Sequence, residues 1–125
     1  MTSTIVGVRF NPIGKIYHFD SGKTSDLTVN DYVVVETSRG KQLGQVAQII
    51  NEPGIPPEGG WKSIERRATP RDLVTRQSWQ NKEPEVLDFA RNRARELRLA
   101  GVKIITSEFS FDGSRLTVFF STETE

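Results

Sequence analysis

The chain has 125 residues, of which 35% are hydrophobic and 26% are charged, and its formal net charge is +1. This balance is typical of a soluble globular domain and argues against a disordered or membrane-spanning chain. With no cysteine and a single histidine, His18, the sequence excludes thiolate nucleophiles, cysteine-ligated iron–sulfur clusters and sites that need two imidazoles. We therefore expect a cytoplasmic binding or adaptor domain without catalytic activity.

The first fifty residues predict a small β lobe, either barrel-like or a curled sheet. Val6, Val8 and Phe10 alternate with Gly7 and Arg9, as in a strand with one buried face. Residues 32–37 (YVVVET) are rich in β-branched residues and predict a strand, and two further strands are predicted at residues 16–19 and 42–50. We expect a tight hairpin before the last strand, with Gly40 in its turn and with Arg39 and Lys41 at its tip.

A connection is predicted at residues 51–60, which hold three of the six prolines and three of the ten glycines. Residues 61–122 are then expected to form a second lobe of the same domain, beginning with a strand at 61–68. Thr69 is the predicted N-cap of a short helix whose first residue is Pro70. A longer helix is predicted from Asn81, with Gly101 just past its end.

The longer helix is amphipathic, and its apolar face should meet a core. The residues on that face, with Leu87 at its margin, are Val86, Phe89, Ala90, Ala94 and Leu97. Arg93 falls among them, so we expect its guanidinium to reach solvent or to meet a carboxylate.

A hairpin turning at Asp112-Gly113 should complete the second lobe. The pairs expected are Phe109 with Leu116, Ser107 with Val118, and Ile105 with Phe120. The fold class is α+β, with a strand-helix-helix-hairpin lobe that is an incomplete ferredoxin-like unit. Because such a unit leaves part of its sheet uncovered, we expect dimerisation or association through the region 61–120.

Positive charge is concentrated in residues 61–103, which carry eleven Lys and Arg against six Asp and Glu. The candidate residues for binding a partner or nucleic acid are Arg39, Lys41, Arg66, Arg67, Arg91, Arg95 and Arg98. The last five are expected to form a second surface, distinct from the hairpin tip. One interpretation is contact with phosphates or with the carboxylates of an acidic partner. The other is a solvated helix flank, and Trp61 and Trp79 are likewise either stacking platforms or core residues.

Enzyme chemistry finds little support. Residues 21–24 (SGKT) end like a P-loop, but Tyr17 stands where the motif needs its first glycine. His18 and Asp20 share a strand face, yet the pattern specifies no nucleophile beside them. A structural histidine and a surface loop are the simpler interpretations.

Several segments together resemble the bacterial RicT (YaaT) family, which carries the PSP C-terminal domain. They are residues 6–10 (VGVRF), 14–20 (GKIYHFD) and 31–40 (DYVVVETSRG), followed by 67–69 (RAT) and the Phe111-Asp112 and Phe119-Phe120 pairs. The resemblance covers about residues 5–121.

This resemblance implies an adaptor or specificity subunit for mRNA maturation. In that family the protein assembles with RicA and RicF, acts with RNase Y, and affects sporulation, competence and biofilm formation. An autonomous RNA- or DNA-binding module is the alternative. Family members also carry a cysteine-bearing segment associated with iron–sulfur clusters, a role that no position of this cysteine-free sequence can take.

Overall fold

β-branched residues dominate the first half of the chain and form strands there, as their fit to a pleated sheet predicts. The computed structural model describes residues 4–11 and 13–122. Its elements are β1 (Ile5–Arg9), β2 (Ile16–Asp20), β3 (Tyr32–Thr37), β4 (Gly40–Ile50), β5 (Arg66–Arg67), α1 (Pro70–Gln80), α2 (Glu83–Glu96), β6 (Val102–Phe109) and β7 (Leu116–Thr122). The predicted α+β class is confirmed. The chain divides into two compact units between Leu73 and Val74.

The first unit is built on one antiparallel sheet with the strand order β2-β1-β4-β3-β5. Valines fill its core, because alternate residues of β1, β3 and β4 point to one side. The fully buried members of this core are Val6, Val8, Val33, Val35 and Val46, with Phe19 and Ile64 almost fully buried beside them. Each large apolar side chain buried there contributes roughly 1.5–3 kcal/mol.

The five strands do not close into a barrel, and residues 62–68 lie along both edges of the sheet instead. On one side, the backbone N–H of Ile64 donates to the carbonyl of Asp20 over 2.8 Å. On the other, the backbone N–H of Glu65 donates to the carbonyl of Val34 over 2.9 Å. An exposed edge offers unpaired N–H and C=O groups, and this segment satisfies part of both.

The boundary between the units differs from the one expected. We predicted that residues 51–60 join two lobes and that residues 61–68 open the second. In the structure β5 pairs with β3, so that segment belongs to the first unit. The second unit therefore has a two-stranded sheet of β6 and β7, and not the three strands of an incomplete ferredoxin-like lobe.

The β6–β7 hairpin confirms two of the three predicted residue pairs. The confirmed pairs are Phe109 with Leu116 and Ser107 with Val118. Phe120 pairs with Ile104 instead of Ile105, because a β-bulge displaces the register at Ile105. The N–H of Ser110 donates to the carbonyl of Arg115, so four residues, and not two, form the connection.

Helix α2 packs its inner side on β6 but is only partly covered. Phe89 and Leu97 are 66% and 57% exposed, so the prediction that the whole apolar face meets a core is wrong. A two-stranded sheet is too narrow to cover the full apolar stripe. Arg93 meets a carboxylate as expected, with its guanidinium 2.8 Å from Glu96. In the described part of the chain, no helix is long and apolar enough to cross a membrane.

The start of α2 is held to the hairpin by Glu83. Its backbone carbonyl accepts a hydrogen bond from the Ser107 hydroxyl at 2.9 Å, and its carboxylate accepts one from the Phe109 N–H at 2.7 Å. Burial raises the pKa of the Glu83 carboxyl, as expected for a carboxylate withdrawn from water. The hairpin and α2 are thus joined at the end of the helix that bears two glutamates in its first turn.

Trp79 is a packing residue of the second unit. Its ring lies 5.0 Å from that of Phe109, and the Lys82 ammonium is 4.6 Å from its centroid. The indole also packs directly on the hairpin turn, where a Cβ on Gly113 would come within 2.0 Å of its Cε2 atom. Trp79 is half-buried, so it packs on the hairpin without being a fully buried core residue, and it leaves no room for a side chain at Gly113.

Alanine at Gly113 should destabilise the second unit through both backbone and side chain. Gly113 has φ +74, and the added Cβ would also collide with Trp79. We expect Gly113→Ala to lower the free energy of unfolding by about 3 kcal/mol. Gly59→Ala is the matched control, because Gly59 has φ +83 and nothing lies within 4 Å of the new Cβ; it should cost about 1 kcal/mol. Equal losses in urea unfolding would contradict the Trp79 contact.

Candidate functional site

The tip of the β3–β4 hairpin carries the first two candidate residues. Ser38 and Arg39 form the turn, and Gly40, with φ +95, is the first residue of β4. We expected Arg39 and Gly40 to form the turn. The Lys41 ammonium lies 2.9 Å from the Glu65 carboxylate. This partly exposed ion pair contributes roughly 0–1 kcal/mol of stability. Of the two basic side chains at the tip, Lys41 is therefore already paired with a carboxylate of the first unit.

The side chain of Arg66 binds the first turn of α1. Its guanidinium donates two hydrogen bonds to the Asp72 carboxylate, at 2.6 and 3.1 Å. That carboxylate also accepts the Thr69 N–H at 2.8 Å, while the Thr69 hydroxyl accepts the Asp72 N–H at 3.2 Å. This reciprocal pair is a capping box, and it confirms Thr69 as the N-cap and Pro70 as the first helical residue.

The side chain of Arg67 also has partners within the first unit. Its guanidinium lies 2.9 Å from the Asp31 carboxylate and donates to the Ser25 carbonyl at 2.7 Å. Arg66 and Arg67 belong to the first unit and the helix arginines to the second. The five arginines of the predicted second surface are therefore divided between the units, and the first two hold local structure together.

The remaining candidates converge on a groove between the C-terminal half of α2 and the start of β6. We call it the basic groove; its volume is about 550 Å³. Its ionisable lining residues are all basic: Arg91, Arg95, Arg98 and Lys103. Its other lining residues are all aliphatic: Ala94, Leu99, Ala100, Val102 and Ile104. A cationic rim around an aliphatic floor suits an anionic occupant that also carries apolar groups.

Arg91 joins the two walls of the groove, α2 and β6, by hydrogen bonds. Its Nε donates to the carbonyl of Ile104 at 3.2 Å, and a terminal nitrogen donates to that of Ile105 at 3.4 Å. Both carbonyls lie at the bulge that shifts the register between Ile104 and Thr106. Arg95 lies one helical turn further on, on the same side of α2, and its guanidinium contacts Asn92 at 3.3 Å.

Lys103 was missed in the sequence analysis. It stands in β6, five residues after Arg98, and the strand pattern there gives no sign of a functional lysine. Its place in the groove depends on how β6 packs against the end of α2. Only the tertiary structure supplies that information.

Arg98 closes α2 in a conformation that usually takes glycine. We predicted that the helix runs up to Gly101, but it ends at Glu96. Arg98 has φ +53; its N–H donates to the Arg95 carbonyl and the next N–H, of Leu99, to Ala94. This is a Schellman motif, in which the left-handed residue is most often glycine. The backbone thus accepts strain of about 1 kcal/mol at a residue whose side chain lines the basic groove.

The other motifs form ordinary surface structure in the first unit. At residues 21–24 the Gly22 N–H donates to the Asp20 carboxylate at 2.7 Å. The element that follows is β3, and not the helix that a P-loop requires. His18 is exposed, and its ring lies 5.7 Å from that of Trp61.

Comparison with known proteins assigns the family. The sequence pattern of the PSP1 C-terminal conserved region matches residues 62–125, just over half of the chain. The chain belongs to this family. It is also 28% identical, over 123 residues, to the stage 0 sporulation protein YaaT of Bacillus subtilis strain 168. That match covers 95% of the chain and 43% of YaaT, so the chain spans less than half the length of this curated relative. No solved structure matches it.

The match to the PSP1 C-terminal region places the basic groove inside the family pattern. All nine lining residues lie between Arg91 and Ile104, within the matched residues 62–125. The hairpin tip with Arg39 and Lys41 lies before it. The groove therefore lies within the region that defines the family, as do Arg66 and Arg67.

Strain at Arg98 can be measured by comparing two substitutions. Both Arg98→Gly and Arg98→Ala remove the guanidinium, but glycine adopts φ +53 at lower cost. We expect the glycine variant to have a free energy of unfolding about 1 kcal/mol above that of the alanine variant. The measurement is urea unfolding of both proteins. Alanine as stable as glycine would mean that the left-handed conformation carries no strain.

The Arg66–Asp72 pair predicts a loss of stability in acid. Its hydrogen bonds hold the pKa of Asp72 well below its usual range. Stability from a depressed carboxyl pKa is present above the unfolded pKa, about 3.9, and is lost as the pH falls below it. Asp72→Asn should therefore lower the free energy of unfolding by about 1 kcal/mol at pH 7, less at pH 3. Asp88→Asn, at an exposed position of α2, is the control; a constant difference across this pH range would refute the assignment.

Proposed function

We propose that this PSP1-family chain is a non-enzymatic recognition subunit, an adaptor that acts in RNA processing and serves a process related to sporulation. The basic groove carries the proposal, because it brings Arg91, Arg95, Arg98 and Lys103 together over an aliphatic floor. Charge-assisted hydrogen bonds from such a cluster recognise carboxylates or phosphates without any bond-making step. The sporulation link is drawn from the name of the similar protein YaaT, a stage 0 sporulation protein.

The expected partners follow from the resemblance to RicT. They are small proteins similar to RicA and RicF, with an RNase Y-type endoribonuclease as the enzyme that the complex directs. The chain supplies a binding surface in this proposal, and the partner supplies the catalysis. Oligomerisation of the chain, expected from the uncovered apolar residues of α2, is part of the same proposal.

The competing function is an autonomous RNA- or DNA-binding module. The same cations favour it, because arginine and lysine also bind phosphates. The two functions differ in salt dependence: a phosphate-driven interaction weakens steeply with salt as bound counterions are released. They also differ in whether the chain by itself binds nucleic acid.

Charge reversal in the groove tests the adaptor function. The groove variant is Arg95→Glu, Arg98→Glu and Lys103→Glu, which leaves the Arg91 contacts in place. The control variant is Lys15→Glu, Lys23→Glu and Lys62→Glu, which changes the net charge equally at exposed positions of the first unit. We expect the wild type and the control to bind purified RicA- and RicF-like proteins, and the groove variant to bind them at least about tenfold more weakly. Calorimetry measures the affinities, and circular dichroism checks folding.

RNA titrations at two salt concentrations distinguish the nucleic-acid-binding module from the adaptor. Salt-steep RNA binding by the chain alone, lost in the groove variant, would replace the adaptor by the nucleic-acid-binding module. Failure of the wild type to bind either protein would refute the adaptor as proposed. In the host organism, deletion of the gene should leave transcripts unprocessed, and the wild-type chain but not the groove variant should restore processing.

A further inference from the structure

We propose that the basic groove binds an acidic amphipathic helix of a protein partner, with leucine or isoleucine side chains in the groove and aspartate or glutamate beside them. This inference rests on the proposed adaptor function and specifies the chemistry of its partner. The observations that carry it are the charge of the rim, the chemistry of the floor and the size of the groove.

The rim favours a negatively charged occupant. Its four ionisable residues are all basic, so the groove has a positive potential that attracts anionic groups. Three are arginines, whose planar guanidinium groups bind carboxylates in a bidentate manner, as Arg66 binds Asp72 in the first unit. Arg91 already donates to Ile104 and Ile105, which leaves Arg95 and Arg98 as the main contacts for carboxylates. Lys103 alternates with Val102 and Ile104 along β6, and it adds positive charge beside them.

The floor favours a protein over single-stranded nucleic acid. Nucleic acids without a fixed sequence are bound largely through bases stacked on aromatic side chains, whereas every uncharged lining residue here is aliphatic. Phe89 and Phe120 of the second unit are exposed, but none of the described residues that line the groove is aromatic. Leu99 is 47% exposed in the floor, and an aliphatic side chain of a partner would shield it from water.

The size of the groove suits a few side chains of one helix. About 550 Å³ lies within the range of pockets that enclose small ligands, so the groove can take two or three aliphatic side chains. Amphipathic helices present such anchors at i, i+3 or i+4 and i+7. Acidic residues on either side of that stripe would then lie against the arginine and lysine rim.

A designed peptide can test this pairing. The probe is a helical peptide of about 18 residues, five turns, with leucine at i, i+3, i+4 and i+7 and glutamate on both flanks. A second peptide carries glutamine in place of every glutamate, and oligouridine of about 16 nucleotides is the nucleic-acid probe. We expect the acidic peptide to shift the backbone NMR signals of Leu99, Val102 and Lys103 in the full chain. The glutamine peptide should bind at least about tenfold more weakly.

Variants of the chain separate charge from apolar contact. We expect the groove variant and Leu99→Ser each to bind the acidic peptide about tenfold more weakly or worse than the wild type. The control variant at Lys15, Lys23 and Lys62 should bind it with wild-type affinity. Leu99 is half exposed, so Leu99→Ser should keep its native NMR spectrum outside the groove; Leu99→Met is a milder variant that should retain binding.

Each result decides for or against the helix. Equal binding of the acidic and glutamine peptides, or no shifts at peptide concentrations of about 1 mM, overturns this inference. If the wild type and the groove variant then bind RicA- and RicF-like proteins equally well, the adaptor function is retained, and its binding surface lies outside the groove. Salt-steep binding of oligouridine in the groove overturns the inference and the adaptor function together.

Discussion

The basic groove depends on one contact between the helix and the hairpin of the second unit. Arg91 of α2 donates to the carbonyls of Ile104 and Ile105 at the bulge of the β6–β7 hairpin. Hydrogen bonds from a charged donor each contribute about 1.5–3 kcal/mol, so this contact stabilises the packing of β6 on α2. This contact places β6 beside the end of α2, and the groove is the space between them.

Strain and charge coincide at the end of the same helix. Arg98 takes the left-handed position of the Schellman motif, where glycine would be cheaper. A long cationic side chain at this position projects from the last turn, where the negative end of the helix dipole also favours it. The left-handed conformation of Arg98 lowers the stability of the second unit slightly and places an arginine at the groove. Backbone strain of this kind is common at binding sites.

Local chemistry made several parts of this structure predictable. The Thr69–Asp72 capping box, the pairing of Phe109 with Leu116, and the Arg93–Glu96 contact all involve residues close in sequence. Some errors are local, such as the end of α2 and the position of Gly40 relative to its turn. The others concern longer-range choices: the partner of β5, the bulge at Ile105 and the exposure of Phe89. Three of the four groove cations were foreseen as recognition residues, but their meeting with Lys103 was not.

By itself, the sequence determined the α+β class, the periodicity of α2 and the concentration of positive charge, because these depend on residue types and spacings along the chain. The tertiary structure alone decided which cations are already neutralised. Arg66 and Arg67 pair with Asp72 and Asp31, whereas Arg95, Arg98 and Lys103 line the groove. The reason is physical: a guanidinium binds whichever carboxylate or carbonyl the fold brings within about 3 Å. For Arg67 and Asp31, which are 36 residues apart, packing between distant segments sets that distance. For Arg66 and Asp72 it depends on how the chain turns from β5 into α1.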